Sequence, residues 1–243
     1  MSIPILLTGT IDVSSSFGGV NKVAVNSTVE RLKQYESAIE RYIKISVFDT
    51  IVFVETSNYN FDSDHFFKLA NKYNKRFEYI TFQGDYEKVK LKGKSYGEAE
   101  AILYGIQNSN LLKEEETIYK ATGRIFLKNS ERIVKNKDKV RNEFISFTKL
   151  DYGRCVTWFF KFNKSDYLKY FADCQFNCDE SNGFDIEKVF FDIIVNNDIE
   201  QKPFVCYPRM NGIIGGLGIN YDKSILKYFI FDILIKIGGF TVK

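Results

Sequence analysis

The strongest constraint on the fold is a regular alternation of short apolar runs with amphipathic segments along the first half of this 243-residue chain. The apolar runs are rich in Ile, Val, Leu and Phe and have strand length, whereas the segments between them place apolar residues at helical spacing. The runs predict strands at residues 4–10, 51–54, 77–82 and 117–127, and the segments predict helices at 27–44, 64–74 and 99–110. Alternating strands and helices form a mostly parallel sheet with helices on both faces, so we predict an α/β fold.

The composition fits a single domain. Apolar residues make up 44% of the chain, and no linker rich in Pro, Gly or Ser divides it. The formal charge of +3 is nearly balanced, which argues against a nucleic-acid binder. Because no apolar run is long enough to span a membrane and the start does not resemble a signal peptide, we expect a cytoplasmic protein. A last amphipathic helix is predicted at residues 224–237, either in the core or at a membrane interface.

Small polar residues follow three of the predicted strands. They are Thr8-Gly9-Thr10 after the first, Glu55-Thr56-Ser57 after the second and Thr122-Gly123-Arg124 within the fourth. The carboxyl ends of parallel strands meet at one edge of a sheet, where α/β folds bind ligands. The sequence therefore predicts a polar cleft at that edge.

A glycine-flanked turn before the helix at 99–110 has the residue types of an anion site. It contains Lys94, Tyr96, Gly97 and Glu98, and Lys120 lies on the following strand, close in sequence to Arg124. The N–H groups at a helix start favour negative charge, and Lys and Arg supply the opposite charge. We predict that this region binds phosphate; the alternative is an ordinary glycine turn beside a basic strand end.

The order of these motifs resembles the GT-A type of glycosyltransferase, a nucleotide-diphospho-sugar transferase fold. The pair formed by residues 93–98 and 120–124 resembles small bacterial transferases of O-antigen (lipopolysaccharide) and capsule polysaccharide biosynthesis. The resemblance implies a nucleotide-sugar donor, a lipid-linked glycan acceptor and a location at the inner face of the membrane. It divides the single domain into a nucleotide-sugar-binding half, 1–130, and an acceptor-binding half, 131–243. It further implies that residues 8–10 contact the nucleoside and that Glu55 recognises its nucleobase.

One departure from that family concerns the metal. The fourth strand of the GT-A fold normally ends in Asp-x-Asp, which holds a divalent ion on the diphosphate, whereas this chain has Thr122-Gly123-Arg124. Because Arg can neutralise a departing diphosphate by itself, we assign that task to Arg124 and Lys120, with Lys94, and expect no cofactor and no metal. Asp62 and Asp64 fit a helix N-terminus better than a metal site, and Asp12 remains an alternative ligand.

Transfer with inversion needs a base for the acceptor hydroxyl. Glu187 is our first choice, Asp185 the second and Asp151 the third; the alternative is that these are ordinary first-turn carboxylates. Tyr96 and Trp158 could stack on a sugar or belong to the core. Two other functions stay open: a sugar-phosphate nucleotidyltransferase, and a nucleotide- or glycan-binding protein without catalysis.

Overall fold

The computed structural model describes residues 2–20, 24–136, 140–147, 153–213, 220 and 222–240. In chain order the strands are β1 (Pro4–Gly9), β2 (Thr50–Glu55), β3 (Arg76–Thr81), β4 (Thr117–Thr122), β5 (Phe126–Leu127), β6 (Ser146–Phe147), β7 (Arg154–Cys155), β8 (Phe159–Asn163) and β9 (Met210–Asn211). The α-helices are α1 (Thr28–Ile45), α2 (Ser63–Lys72), α3 (Tyr86–Lys92), α4 (Lys94–Asn108), α5 (Ser130–Ile133), α6 (Lys164–Asp166), α7 (Cys174–Asn177), α8 (Ile186–Asn196) and α9 (Ile225–Lys236). Short 3₁₀-helices cover Val134–Asn136 and Glu180–Asn182, and a π-helix covers Tyr167–Phe171.

The central sheet of the described residues contains five of these strands in the order β3-β2-β1-β4-β8. The first four are parallel to one another, whereas β8 is antiparallel to β4. Leu7 of β1 pairs with Phe53 of β2 and with Ala121 of β4, so these strands end at the same edge. The prediction of a mostly parallel α/β sheet is confirmed.

Each face of the sheet has its own apolar core. On one face α1 packs Tyr35 and Tyr42 against strand residues that include Leu7. On the other face α4 packs Ile102 into a core that contains Leu6. Neighbouring strand residues such as Leu6 and Leu7 point to opposite faces, so these strands are apolar along their whole length, as expected for a sheet covered on both sides.

The single strand predicted at residues 117–127 is wrong, because the chain turns in the middle of it. β4 ends at Thr122, and β5 begins at Phe126. The turn follows from Gly123, whose N–H donates to the carbonyl of Thr8 at 2.8 Å. A Cβ at Gly123 would lie 2.9 Å from that same oxygen, so the approach requires glycine.

The glycine turn at residue 93 connects two helices. The sequence patterns missed α3, whose N-terminus is capped by Asp85 accepting from the Lys88 N–H at 3.0 Å. Gly93 has φ near +100°, and α4 begins directly after it at Lys94, five residues before the predicted start. The turn is therefore a helix–helix corner that only glycine adopts without strain.

The second half of the chain completes the same sheet. β8 pairs with β4 from Thr117↔Asn163 to Ala121↔Phe159. The last helix, α9, contributes Tyr228 and Ile235 to the core on the α1 side. Among the described residues, none of the helices combines the length and the apolar character needed to cross a membrane.

Candidate functional site

A cleft of about 310 Å³ opens where β1, β2 and β4 end. It takes residues from both halves of the chain. The predicted site residues that line it are Thr8, Gly9, Thr10, Thr56, Lys94, Gly97, Glu98, Thr122, Arg124, Asp185 and Glu187. The predicted site residues that lie outside its lining are Glu55, Ser57, Tyr96, Lys120 and Gly123.

Two arginines form the basic end of the cleft. The guanidinium groups of Arg31 and Arg124 lie 6.0 and 5.9 Å from the ring centroid of Tyr35. Arg31 donates from Nε to the Thr10 carbonyl at 2.7 Å, and Arg124 donates from Nη1 to the Gln34 amide oxygen at 2.9 Å. Both side chains are more than nine-tenths buried.

Neither arginine forms an ion pair with a carboxylate of the described residues. The buried Nε of Arg124 has no hydrogen-bond partner in that part of the chain. Burial is the largest effect on the Arg31 guanidinium and lowers its pKa; Tyr35 opposes this, the charge of Arg124 lowers the pKa further, and Glu55 has a smaller raising effect. Two buried cations that repel each other give this end of the cleft a positive charge, which an anionic ligand would balance.

Lys120 is placed differently from the prediction. Its side chain is fully buried, pairs with the Glu98 carboxylate and donates to the Thr157 carbonyl at 2.8 Å. Glu98 also accepts from the Thr8 hydroxyl at 3.1 Å. We therefore withdraw Lys120 as a phosphate ligand, because it holds Glu98 in place on the floor of the cleft.

Glu55 is also turned inward. It is completely buried and accepts from the N–H groups of Ile11, Ser57 and Tyr59 at 2.8, 2.9 and 3.0 Å. The hydroxyls of Ser57 and Thr81 also donate to it. With its oxygens engaged in this way, Glu55 fixes the loops after β1 and β2. We therefore no longer assign it to recognition of the nucleobase.

The start of α4 is already occupied by a protein carboxylate. Glu180 accepts from the Ser95 N–H at 2.9 Å and from the Ser95 hydroxyl at 2.5 Å. The predicted phosphate site at this helix start is therefore not supported, although Lys94 lines the cleft. Tyr96 is buried in the core on the α4 side, where its ring meets Phe176.

Asp185 and Glu187 lie at the start of α8 and have different surroundings. Asp185 caps the helix by accepting from the Lys188 N–H at 2.9 Å, and it pairs with Arg154. Burial raises the pKa of Glu187 to about 7, and the charge of Asp185 adds to the rise against smaller lowering effects of the Thr157 backbone, Arg154 and Lys94. Such a pKa suits a base that works near neutral pH. Asp151 lies outside the described residues.

The remaining lining residues include several that the sequence patterns missed. Trp158, flagged from the sequence, faces the cleft, and so do the unpredicted Tyr86 and Glu100. The Tyr86 hydroxyl donates to the Thr56 carbonyl at 3.1 Å, and the Thr10 and Thr56 hydroxyls lie 2.6 Å apart. Arg31 carried a usable signal, because it stands four residues before Tyr35 and so shares the buried face of α1.

The aspartates considered as metal ligands lie at the start of α2 and in the loop after β1. Asp62 is the N-cap residue of α2, without a side-chain hydrogen bond, and Asp64 lies in its first turn. Asp12 accepts from the Ser14 N–H at 2.9 Å, which lowers its pKa. Among the described residues there is no group of three or more His, Cys, Asp or Glu side chains arranged to hold a metal ion.

Comparisons with known proteins gave matches among solved structures alone. No protein-family model and no curated protein matches the chain. A putative glucose-1-phosphate thymidylyltransferase from Bacillus anthracis is 8% identical with a TM-score of 0.46, over 100% of this chain and 97% of that one. The glycosyltransferase GlyE from Streptococcus pneumoniae is 8% identical with a TM-score of 0.47, over 83% of this chain and 45% of that one. A nucleoside-diphosphate-sugar pyrophosphorylase from Vibrio cholerae is 11% identical with a TM-score of 0.45, over 81% of this chain and 89% of that one.

Proposed function

We propose that this protein is a glycosyltransferase that moves a sugar from a nucleotide-sugar donor to an acceptor hydroxyl. The observation that carries the proposal is that one cleft contains both a pair of buried cations and a carboxylate with a raised pKa. Arg31 and Arg124 form an anion site without an ion-pair partner among the described residues, and Glu187 supplies a carboxylate whose pKa is about 7. A glycosyl transfer needs both, a cation for the leaving diphosphate and a base for the acceptor.

The lining residues suggest how the donor would lie. The diphosphate would bind Arg31 and Arg124, with Lys94 as a third cation. The nucleoside would follow the ends of β1 and β2 along Thr8, Gly9, Thr10 and Thr56, where Tyr86 and Glu100 offer a ring and a carboxylate. Trp158 would contact the sugar, since aromatic rings cover the apolar face of a pyranose.

In the proposed reaction Glu187 accepts the proton of the acceptor hydroxyl. The acceptor oxygen forms a bond to the anomeric carbon, and the bond from that carbon to the phosphate oxygen breaks. Its electron pair stays on the nucleoside diphosphate, whose added charge Arg31 and Arg124 stabilise. Asp185 positions the helix start and Arg154, so we assign it to structure rather than to proton transfer.

A donor panel tests this proposal. We would incubate the protein with UDP-, GDP-, dTDP- and CMP-sugars and measure both donor binding and release of the nucleotide product. We expect one nucleotide to bind and turn over, and Glu187→Gln to keep donor affinity while transfer falls by about 10²-fold or more. Asp185→Asn is the matched control, with a smaller loss. If no nucleotide sugar binds at millimolar concentration, the proposal fails.

Nucleotidyl transfer is the second candidate. The observation that favours it is Arg31, which donates to the Thr10 carbonyl and so places a cation on the loop after β1, where the sequence alone shows none. The two reactions differ in their small product. A nucleotidyltransferase releases pyrophosphate from a nucleoside triphosphate and a sugar phosphate, whereas a glycosyltransferase releases a nucleotide from the donor panel.

A finer proposal is that the acceptor is a lipid-linked glycan of bacterial surface polysaccharide and that α9 rests on the membrane. Much of α9 turns apolar side chains outward, with Ile225, Leu226 and Phe229 at 84, 68 and 60% exposure. Its one carboxylate, Asp232, points inward and binds the Tyr207 N–H at 2.8 Å and Arg132 at 3.0 Å. The exposed charges of α9 are therefore the lysines at 227 and 236, which suit an anionic lipid surface.

Vesicle sedimentation tests the contact with the membrane. We expect binding to vesicles that contain phosphatidylglycerol, weaker binding to phosphatidylcholine alone, and loss of binding in a Phe229→Ser, Ile233→Ser variant. Val29→Ser changes an equally exposed apolar residue on α1 and is the control. A dimer in solution that the double variant dissociates, without vesicle binding by the original chain, would overturn the membrane assignment.

A further inference from the structure

A second, smaller cavity shares Arg124 with the cleft. It has a volume of about 210 Å³ and is bounded by α1 on one side and by the β5–β9 pair on the other. Its lining residues are Lys33, Gln34, Ser37, Ala38, Arg41, Arg124, Phe126, Asn211, Gly212 and Ile213. Three of them are cations and none is a carboxylate.

Arg41 is held in a fixed position at this cavity. Its guanidinium lies 4.4 Å from the ring centroid of Phe126 and donates to the Asn211 side-chain oxygen at 2.5 Å. No carboxylate of the described residues pairs with it. A guanidinium that is stacked and hydrogen-bonded loses little freedom when it binds a ligand, so its remaining donors are ready for an anion.

Arg124, which also lines the larger cleft, supplies a second observation at the same place. The side chain is 7% exposed and lines both cavities, and its buried Nε has no hydrogen-bond partner in the described residues. A buried donor without a partner is costly, and an anion beside it removes the cost. The second cavity therefore has a half-buried cation held in position (Arg41), a buried cation (Arg124) and an exposed lysine (Lys33) around one space.

We propose that this cavity is a second anion site, distinct from the donor diphosphate site, and that it binds a phosphate or diphosphate group. The inference rests on the proposed function for its context, because the anion would be either a group on the acceptor or a free effector. The cavity adjoins β9, which α9 also contacts through the Tyr228 hydroxyl, 3.4 Å from the Met210 carbonyl. A lipid-borne diphosphate would therefore reach the cavity beside the helix proposed to lie on the membrane.

Calorimetric titration with inorganic pyrophosphate tests the second site. The protein is first saturated with the nucleoside diphosphate that binds best among UDP, GDP, dTDP and ADP. We expect pyrophosphate still to bind, and Arg41→Gln to raise its dissociation constant by about 10-fold or more while the nucleoside diphosphate binds as before. The matched control is Lys44→Gln, which removes a cation from the same helix away from the cavity.

Farnesyl diphosphate at submicellar concentration identifies the source of the anion. Tighter, Arg41-dependent binding of the lipid diphosphate than of pyrophosphate supports an acceptor-borne group, and equal binding of the two supports a free effector. The second site is refuted if saturating nucleoside diphosphate abolishes pyrophosphate binding, or if Arg41→Gln and Lys44→Gln bind pyrophosphate equally. If no nucleoside diphosphate binds, the proposed function fails, and the comparison of the two variants on the free protein still decides the second site.

Discussion

Arg31 and Arg124 combine two features that seldom occur together in a stable interior. Both are buried, and their hydrogen-bond partners among the described residues are neutral groups: the Thr10 and Val25 carbonyls, the Gln34 amide and the Tyr35 hydroxyl. Burying a charge without an opposite charge costs free energy. Such a cost is typical of sites where a ligand, rather than the protein, completes the charge balance.

Replacing Arg124 should separate binding from folding. We expect Arg124→Met to lower turnover by about 10²-fold or more, because the leaving diphosphate loses the hydrogen bonds and the positive charge of the guanidinium group. The free energy of unfolding should change by less than about 1 kcal/mol, since an apolar side chain of similar length replaces a repelled cation. Chemical denaturation and steady-state kinetics measure the two effects. Arg141→Met, at an exposed ion pair with Asp166, is the control; an equal loss of turnover there would refute the assignment.

The proposed role of Glu187 as the base predicts a pH dependence of definite sign for the activity. A base must be ionised, and the pKa of this carboxyl is raised from 4.5 to about 7. We therefore expect kcat/KM to rise with pH through about 7 and to level off above it. The residual activity of Glu187→Gln should lack this rise. A profile that instead rises between pH 4 and 5 in the original chain would exclude Glu187 as the base.

At the scale of elements, the edge strand β8 contains a buried ion pair. Lys161 of β8 and Glu143 are 0 and 1% exposed, their charged atoms lie 3.1 Å apart, and their backbones exchange hydrogen bonds of 2.9 and 3.0 Å. Burial raises the pKa of Glu143 to about 7 although Lys161 opposes the rise. The folded state thus favours the protonated carboxyl, and its stability falls as pH rises from about 4.5 to 7.

Removing the Lys161 cation should make the loss of stability with rising pH larger and extend it to higher pH. We expect Lys161→Met to lower the free energy of unfolding by about 3–5 kcal/mol at pH 8.5, because Glu143 is left as a buried charge. At pH 5.5 the loss should be smaller, since the carboxyl is then protonated. Denaturation at both pH values measures this, and Lys161→Met with Glu143→Gln should recover most of the loss. A loss independent of pH would show that packing alone is involved.

The elements also show which signals in the sequence were sufficient. β1 and β2 were predicted because a short, continuous apolar run next to a predicted helix is typical of a buried strand. β4 was predicted five residues too long, because the turn at Gly123 depends on the Thr8 carbonyl of another strand, which no local pattern reveals. α3 was missed because its seven residues, Tyr86–Lys92, bury only Val89 and leave almost no apolar period.

For the whole molecule, the position of the cleft followed from topology, whereas its charges did not. Thr8, Thr10 and Thr122 line the cleft because parallel strands end at one edge. Lys120 and Glu98 lie on different elements, and only the packing of α4 on the sheet shows that they pair. The spacing of Arg31 to Tyr35 indicated the buried face of α1, but nothing in the sequence indicated that Arg31 lies next to Arg124. The functional roles of all these residues stay predictions.

Metal removal is a test at the same scale. Arg124 follows β4 where the GT-A pattern has its metal-binding aspartates, so we expect transfer to continue in excess EDTA. The assay compares EDTA alone with EDTA followed by excess Mg²⁺ or Mn²⁺. Rates within about 2-fold of each other are expected, because in the proposed mechanism the guanidinium groups supply the positive charge that balances the leaving diphosphate. Loss of transfer that Mn²⁺ restores would show that carboxylates such as Asp12 or Glu98 hold an ion.

A cationic side chain that lines two cavities, as Arg124 does, would couple the binding of anions in the two proposed sites. Any anion bound against one side of Arg124 lowers the positive potential that the other side offers, and the two anions also repel each other. Linkage makes this effect reciprocal, so each ligand must weaken the other by the same factor. An acceptor that arrives in the smaller cavity would then speed the departure of the spent nucleotide from the larger one, and Arg124 would set the order of events in the catalytic cycle.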